Sequence, residues 1–384
     1  MRGDAEARAA EWLAAWDAQG IHRTATAGDQ ADADWLMRET VRLGINSAFE
    51  EFALDRLDPV AAYLEIDGVR IPGVPVFDAP ATAPGGVVGP LGPVDGEAAI
   101  AFAELSPGIA YTPDYERLRR EAKHLGLAIV CTGAQPGLGL LNAERFPEPY
   151  GAPAIHVSSE AREMVLAAAA RGALARLVAD SRRTPARARN LVLTLPGRDR
   201  KRAPLVVMTP RSSWWQSTAE RGGGIVCWLE ALRALLAAPP ACDVVFTANS
   251  GHELGHLGLD ALVAGRAGWE RPVAEGGAVW VHFGANLGAV GGELLVQSAA
   301  GELAALAAAE LTHAGRAPDR IMPRTLVPSG ETRDIHRAGG RYLTLVGSNP
   351  LFHLPQDRWP HAVDADVVAR IATAVSRLVV RLTH

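Results

Sequence analysis

The C-terminal half of the chain alternates between short apolar runs and longer segments in which apolar and polar positions mix. The β-branched runs NLVLTLPG, PLVVMTP, CDVVFTA, AVWVHFG and RYLTLVG predict buried strands. Helix-length segments lie among them: GGIVCWLEALRALLA, GLDALVAG, GELAALAAAELTHAG and the closing DADVVARIATAVSRLVVRL. This alternation, from about residue 190 onward, predicts a mostly parallel sheet that is covered by helices.

The preceding part of the chain has a different pattern. Residues 1 to 45 predict two helices that each end at a glycine, and residues 46 to 65 begin like a strand. The stretch from 66 to 188 is rich in Gly and Pro, with short strand-like runs and a predicted helix at EMVLAAAARGALARLV, and its basic end SRRTPARARN predicts a solvated linker. We therefore predict a main domain from residues 1–65 and 189–384, with 66–188 inserted as a small α/β module.

Composition narrows the classes of function. The chain has 384 residues, 48% of them hydrophobic, and a formal net charge of -5, which is typical of a globular protein with a sizeable core. Acidic and basic residues are mixed without a basic stripe, so we expect no nucleic-acid partner. No apolar run approaches the roughly 20 residues of a membrane span, and the acidic start does not resemble a signal peptide. Three cysteines without metal-type spacing favour a cytoplasmic location.

The stretch FTANSGHELGHLGLDALV contains an apparent zinc-protease motif. The letters HELGH at residues 252 to 256 match H-E-x-x-H, which binds zinc only when a helix brings both histidines to one face. A strand-like run precedes the motif, and three glycines interrupt it; each glycine inside a helix costs about 1 kcal/mol relative to alanine. We therefore predict that this is not a zincin helix and that His256 is not a metal ligand.

The order of these elements resembles the zinc exopeptidases that include bacterial leucyl aminopeptidases, glutamate carboxypeptidase and glutaminyl cyclase. HRTATAGDQADADWLMRETVRLG looks like the opening helix of that family, and GSNPLFHLPQDRWPHAVDADVVARIATAV looks like its ending. Residues 66–188 look like the protease-associated module that many members carry as an insertion. The resemblance implies an α/β fold with a mixed, mostly parallel sheet sandwiched by helices and a small inserted protease-associated-like module.

Family members usually hold two zinc ions, and the resemblance implies where their ligands would stand in this chain. Pro210 and Ser212 stand at the positions of the family's His-x-Asp pair, Glu220 at its bridging Asp, and Gly284 at a further carboxylate. Neither proline nor glycine has a side chain that binds a metal. The resemblance therefore implies that the first zinc is absent.

The second zinc keeps an acid, an acid and a histidine. By the resemblance these are Glu220, Glu253 and His353, a set similar to that of glutaminyl cyclase, and we expect at most one zinc ion there with an open position for a ligand. From the residues alone, Glu220 could instead form an ion pair with Arg221 or another arginine. His252 stands at the position of the family's general base. An imidazole with an ordinary pKa of about 6.5 can take up a proton in that role.

Other side chains are candidates for the pocket because they lie in segments that follow predicted strands. They are Trp214, Trp215, His282, Arg333, His336 and Asp357. Each has an alternative role: packing for the tryptophans, a hydrogen-bonded core position for His282, and a solvated charged loop, PSGETRDIHRAGG, for Arg333 and His336. Asp357 would accept the second ring N–H of a metal-bound His353.

Three functions remain open from the sequence. The first is a metal-dependent hydrolase or acyl-transfer enzyme with one zinc, acting on a small amide or a peptide end. The second is a catalytically inactive relative that binds a peptide or protein partner in the same cleft. The third is a metal-free hydrolase that uses His252 with Glu253. The sequence leaves the oligomeric state open, a homo-oligomer included.

Overall fold

A computed structural model describes residues 2–121 and 123–384. Within these ranges thirteen strands pair edge to edge in one continuous sheet. The strands are β1 (Ala48–Ile66), β2 (Val69–Pro75), β3 (Val87–Pro93), β4 (Ile100–Leu105), β5 (Gly126–Cys131), β6 (Ala154–Val157), β7 (Leu174–Leu195), β8 (Leu205–Pro210), β9 (Val244–Asn249), β10 (Val279–Phe283), β11 (Leu294–Ser298), β12 (Arg320–Ile321) and β13 (Arg341–Gly347). The helices are α1 (Arg2–Asp17), α2 (Ala27–Arg42), α3 (Pro113–Glu121), α4 (Arg162–Ala170), α5 (Gly223–Ala237), α6 (Leu257–Ala264), α7 (Gly301–His313), α8 (Thr332–Arg337) and α9 (Ala365–Thr383).

The main part of the sheet has the order β1-β7-β9-β8-β10-β13-β11-β12. Its centre, β9-β8-β10-β13, is parallel, and β7 and β11 flank that centre in the antiparallel sense. One face packs against α1, α5, α7 and α9 around Trp228 and Phe246, and the other packs against α6 and α8 around Trp280 and Tyr342. The predicted α/β class, a mixed sheet between two layers of helices, is confirmed.

A long ladder connects this main part to the rest of the sheet. β1 and β7 pair from Ala48 opposite Val192 to Ile66 opposite Ala175. The far end of the ladder continues into β2, β6, β5, β4 and β3, which bury hydrophobic clusters of their own. β7 is one continuous strand from Leu174 to Leu195 and therefore crosses residue 188. The domain boundaries at 66 and 188 stay a prediction.

Two local predictions for the second half of the 66–188 segment and its end are wrong. The helix expected at EMVLAAAARGALARLV ends at Ala170, because Gly172 adopts φ +61° and the chain turns into β7. The basic stretch SRRTPARARN is the middle of β7 and not a linker. Its arginines are compatible with a strand because carboxylates lie near them: Arg187 Nη1 is 3.3 Å from Glu51 Oε2 on β1.

The parallel strands end together at one edge of the sheet. β8 ends at Pro210, β9 at Asn249, β10 at Phe283 and β13 at Gly347. In open α/β sheets, ligands bind in the crevice beyond these carboxyl ends. Within the described ranges, no helix combines the length and the apolar character needed to cross a membrane.

Candidate functional site

A cleft of about 280 Å³ opens beyond the carboxyl ends of β10 and β13. The polar and aromatic side chains that line it include His252, His282, Asn286, Ser329, Asn349 and Phe352. A Cβ placed on Gly330 would lie 3.2 Å from His282 Cε1 and 3.8 Å from His252 Cε1, so both imidazoles meet the same point of the wall. A larger cavity, of about 540 Å³, lies beside α3, but the two ring nitrogens of its His124 already contact backbone carbonyls.

The segment HELGH forms a short helical turn after β9. Only His252–Leu254 are helical, as one turn of 3-10 helix, and Gly251 and Gly255 on either side have φ of +83° and +81°. These positive φ values are accessible to glycine at little cost, and they keep the motif from continuing as an α-helix. His256 Nδ1 lies 2.7 Å from Asp334 Oδ2. The prediction that HELGH is not a zincin helix is confirmed.

Glu253 is fully buried, and both of its oxygens accept hydrogen bonds. Oε1 accepts from the backbone N–H and the hydroxyl of Thr24, each at 2.7 Å, and Oε2 accepts from the Ser212 hydroxyl at 2.6 Å. Ser212 Oγ also accepts from the backbone N–H of His252. The structure thus places this predicted zinc ligand where it ties the loop after α1 to the ends of β8 and β9.

Glu220 and Arg221 lie in the π-helical turn Thr218–Gly222 that leads into α5, and both are buried. Arg221 Nη2 is 2.7 Å from Glu220 Oε1, and Arg221 Nε donates to the Ser212 carbonyl at 2.7 Å. Burial raises the pKa of Glu220, but the charges of Arg221 and His353 outweigh that effect and lower it to about 2. Glu220 is therefore ionised and paired with a buried guanidinium.

His353 faces Glu220 from the segment after β13. Its Nδ1 donates to the Leu140 carbonyl at 2.7 Å, because a carbonyl can only accept, and its Nε2 lies 3.5 Å from Glu220 Oε1. Asp357 does not take the ring proton of His353 as the sequence suggested. It accepts from the backbone N–H groups of Ala219 and Glu220 at 2.7 and 3.0 Å, and so holds the turn that carries Glu220.

A carboxyl group other than that of Glu253 lies beside the His252 ring. Its Nδ1 lies 3.8 Å from Glu331 Oε1, while Glu331 Oε2 accepts from Asn249 Nδ2 at 3.1 Å. Burial, with a contribution from Arg221, lowers the pKa of His252 well below its usual value, and burial raises the pKa of Glu331 to about 7. At neutral pH the imidazole is uncharged beside a carboxyl group that is partly protonated.

His282 lies on β10 and is also uncharged. Its Nδ1 is 2.9 Å from the Thr344 hydroxyl on β13. Burial lowers its pKa to about 3, with His256 and Arg221 as further causes. His282 thus combines both of its predicted positions, since it is hydrogen-bonded in the core and also lines the cleft.

Trp214 and Trp215 hold segments next to the site in place through their indole N–H groups. Trp214 is buried, donates to Asn142 Oδ1 at 2.9 Å, and packs on Phe77 with ring centroids 4.6 Å apart. Trp215 donates to the His353 carbonyl at 2.9 Å and so fixes the backbone of that residue.

The charged segment PSGETRDIHRAGG forms α8 and is not a solvated loop. Arg333 pairs with Glu144 at 2.7 Å, and His336 Nδ1 lies 3.0 Å from the Tyr342 hydroxyl. Among the described residues, neither Arg333 nor His336 lines the cleft. Ser329 and Gly330 of this segment line the cleft, and Glu331 lies next to His252. The sequence signal of Glu331 was only its place in a charged run.

Solved structures with the same architecture include aminopeptidases. A zinc aminopeptidase from Bacillus subtilis superposes with a TM-score of 0.75 at 17% identity, over 96% of this chain and 93% of that one. A peptidase M28 precursor from Shewanella amazonensis SB2B gives 0.75 at 14% identity, over 100% and 98%. The chain has the fold of a zinc aminopeptidase. An aminopeptidase from Aneurinibacillus sp. strain AM-1 gives 0.71 at 14% identity, over 98% and 92%.

The aminopeptidase fold confirms the zinc-exopeptidase architecture that the sequence resemblance implied. No protein-family model and no curated protein sequence matches the chain. The prediction that the zinc site is partly lost therefore depends on this chain's own residues.

A zinc ion does not fit the residues present on this aminopeptidase fold. Across 2–121 and 123–384, no three His, Cys, Asp or Glu side chains converge closely enough to hold a metal ion. Glu253 is occupied by three donors, and the carboxylate of Glu220 has a guanidinium 2.7 Å away. A zinc ion at Glu220 would lie beside a buried positive charge, which is unfavourable where solvent cannot screen it.

Proposed function

We propose that this chain uses the aminopeptidase fold to bind a small amide or a peptide end in its cleft, without zinc-dependent hydrolysis. The observation that carries the proposal is the buried ion pair between Arg221 and Glu220. A guanidinium keeps its charge at any physiological pH, so it neutralises the carboxylate permanently. The pair therefore takes the place that the resemblance gives to a carboxylate–metal contact.

The surroundings of Gly284 support the same proposal. By the resemblance, Gly284 stands where the family has another carboxylate ligand. A Cβ there would lie 2.8 Å from His282 Cε1 and 3.2 Å from the Leu345 carbonyl oxygen. A side chain at position 284 would have to displace His282, so the cleft wall has no room for a carboxylate at this position.

One observation favours a zinc hydrolase as the second candidate. His353 donates its Nδ1–H to a backbone carbonyl and directs Nε2 toward Glu220, which is the orientation that metal-bound histidines commonly have. In that case Arg221 would have to leave Glu220 when a metal enters.

Hydrolysis of leucine p-nitroanilide separates the two functions. The protein would be assayed as purified, after dialysis against a chelator, and after the return of zinc, with His252→Ala as a matched control for contaminating peptidases. We expect no hydrolysis that depends on zinc. Turnover that the chelator removes, that zinc restores and that His252→Ala abolishes would establish the hydrolase instead.

A further inference from the structure

Arg221 lies close to the cleft, because its charge contributes to the lowered pKa of His252 and of His282, which both line the cleft. Arg221 donates to the carbonyl of Ser212, and the hydroxyl of Ser212 accepts from the backbone N–H of His252. Through Glu220 it is joined to His353, whose ring stacks on Phe352 with centroids 3.8 Å apart. His252 and Phe352 both line the cleft, so Arg221 is connected to two residues of its lining through short chains of contacts.

Several buried polar atoms near the cleft lack hydrogen-bond partners in the described part of the chain. Both terminal nitrogens of Arg221 and both carboxylate oxygens of Glu220 make no well-aligned hydrogen bond, although the two charges are adjacent. Glu331 Oε1 and His252 Nδ1 are in the same condition. Buried polar groups almost always have a partner, so several such atoms in one place indicate that a ligand supplies the missing bonds.

The charges of Arg221, Glu220 and Glu331 determine which kind of ligand the cleft favours. A cationic ligand would stand beside Arg221, and an anionic ligand would stand beside Glu220 and Glu331. Either one would meet one of these groups with a like charge and without the hydrogen-bonding atom that the group lacks, which is costly in a buried site. An uncharged ligand meets neither repulsion, and it can still bond to both donors and acceptors if it carries both kinds of group.

We infer that the cleft binds an uncharged carboxamide, with its carbonyl oxygen on the Arg221 guanidinium and its N–H on Glu331. This inference rests on the proposed function and names the chemistry of its ligand. A guanidinium offers N–H donors to a carbonyl oxygen, and a carboxylate accepts an amide N–H in a charge-assisted bond. Phe352 supplies an aromatic wall for an apolar substituent on the amide.

Three probes of equal shape test the inference: benzamide, benzoate and benzamidinium. They share a ring and a planar head group, and they differ only in charge and in their donors and acceptors. We expect isothermal titration at pH 8 and constant ionic strength to give benzamide at least about tenfold tighter binding than either ion. Tighter binding of benzoate or of benzamidinium would overturn the inference, and so would the absence of binding by all three at millimolar concentration. Zinc-dependent hydrolysis, measured separately, decides the proposed function itself.

The variant Glu331→Gln tests the acceptor without removing a side chain. If the glutamine oxygen keeps the bond from Asn249 Nδ2, its NH₂ faces the ligand's N–H, and two donors then meet. We expect benzamide affinity to fall about tenfold in this variant. Glu310→Gln is the control. Glu310 lies on α7, where Arg377 and Arg381 of α9 donate to its carboxylate, and this change should leave the affinity for benzamide unchanged. Unchanged affinity in a folded Glu331→Gln protein would contradict the assignment of Glu331.

Discussion

Two buried polar clusters lie next to each other at the carboxyl edge of the sheet, and they differ in how their hydrogen bonds are satisfied. The Glu253 cluster comprises Thr24, Asp29, Asp32, Arg211, Ser212 and Glu253. The Arg221 cluster comprises Glu220, Arg221, His252, His282, Glu331 and His353. Both are almost entirely shielded from solvent.

In the Glu253 cluster almost every charged atom has a partner. Arg211 donates to Asp29, to Asp32 and to the Arg189 carbonyl. The carboxylate of Glu253 accepts from three donors. A polar network satisfied in this way rigidifies the fold and needs no ligand.

In the Arg221 cluster the charges are adjacent but the hydrogen bonds are incomplete. The same type of residue therefore serves two purposes at neighbouring positions: a satisfied carboxylate holds the structure, and an unsatisfied one faces a ligand. Four predictions test this contrast.

The largest effect is expected for Arg211→Met. Removing this guanidinium leaves Asp29 and Asp32 buried together without their shared cation, and breaking a buried pair in this way costs about 3–5 kcal/mol. Urea unfolding should show the loss in the free energy of unfolding. Arg324→Met, at an exposed arginine, is the control and should change it little. If Arg211→Met costs no more than the control, the Glu253 cluster does not hold the fold together.

Glu331→Gln should change how stability depends on pH. Burial raises the pKa of Glu331 from 4.5 to about 7, so the folded state holds this proton more tightly than the unfolded state. The wild type therefore loses stability as pH rises from about 4.5 through 7, by about 1.4 kcal/mol per unit of pKa shift, and the glutamine variant lacks that loss. Chemical unfolding of both proteins between pH 5 and pH 8 measures it. Parallel stability curves would mean that Glu331 titrates normally.

Glu253→Gln should cost about 1–3 kcal/mol of unfolding free energy. The carboxamide has one acceptor oxygen in place of two, and its NH₂ would face either the Thr24 donors or the Ser212 hydroxyl. Thermal and urea unfolding at fixed pH measure the loss. A variant as stable as the wild type would show that these three hydrogen bonds are not needed.

The smallest effect is expected for the double variant Arg221→Met with Glu220→Gln. Replacing both members of a buried ion pair together is often neutral or stabilising, because no charge remains unpaired. We expect the free energy of unfolding to change by less than about 1 kcal/mol. A loss as large as that of Arg211→Met would remove the distinction between the two clusters.

The fold and the location of the site could be predicted from the sequence more fully than the chemistry of the site. Alternating strand and helix patterns predicted the mixed sheet, and the strand ends predicted where polar side chains would gather, because these features depend on neighbours along the chain. The glycines around HELGH likewise indicated a turn. β7 was harder to predict, since the pairing of its arginines with β1 depends on a strand more than 100 residues away.

The roles of individual site residues depended on contacts that sequence positions do not encode. Glu253 occupies the place of a zinc ligand, yet its partner Thr24 comes from the distant loop after α1. The sequence offered a pairing of Glu220 with Arg221 only as an alternative to zinc binding, and the contact itself forms within the π-helical turn. The link between His252 and Glu331 requires β9 and the start of α8 to meet at one edge.

The most direct test of the Arg221–Glu220 pair as a replacement for a zinc site is the metal content of the protein. The chain would be purified without chelators and without an affinity tag, incubated with zinc, dialysed, and analysed by mass spectrometry of its metals. We expect much less than one equivalent of zinc per chain, because Arg221 already neutralises Glu220 and Glu253 is fully hydrogen-bonded. One or more equivalents of zinc that resist dialysis would contradict this.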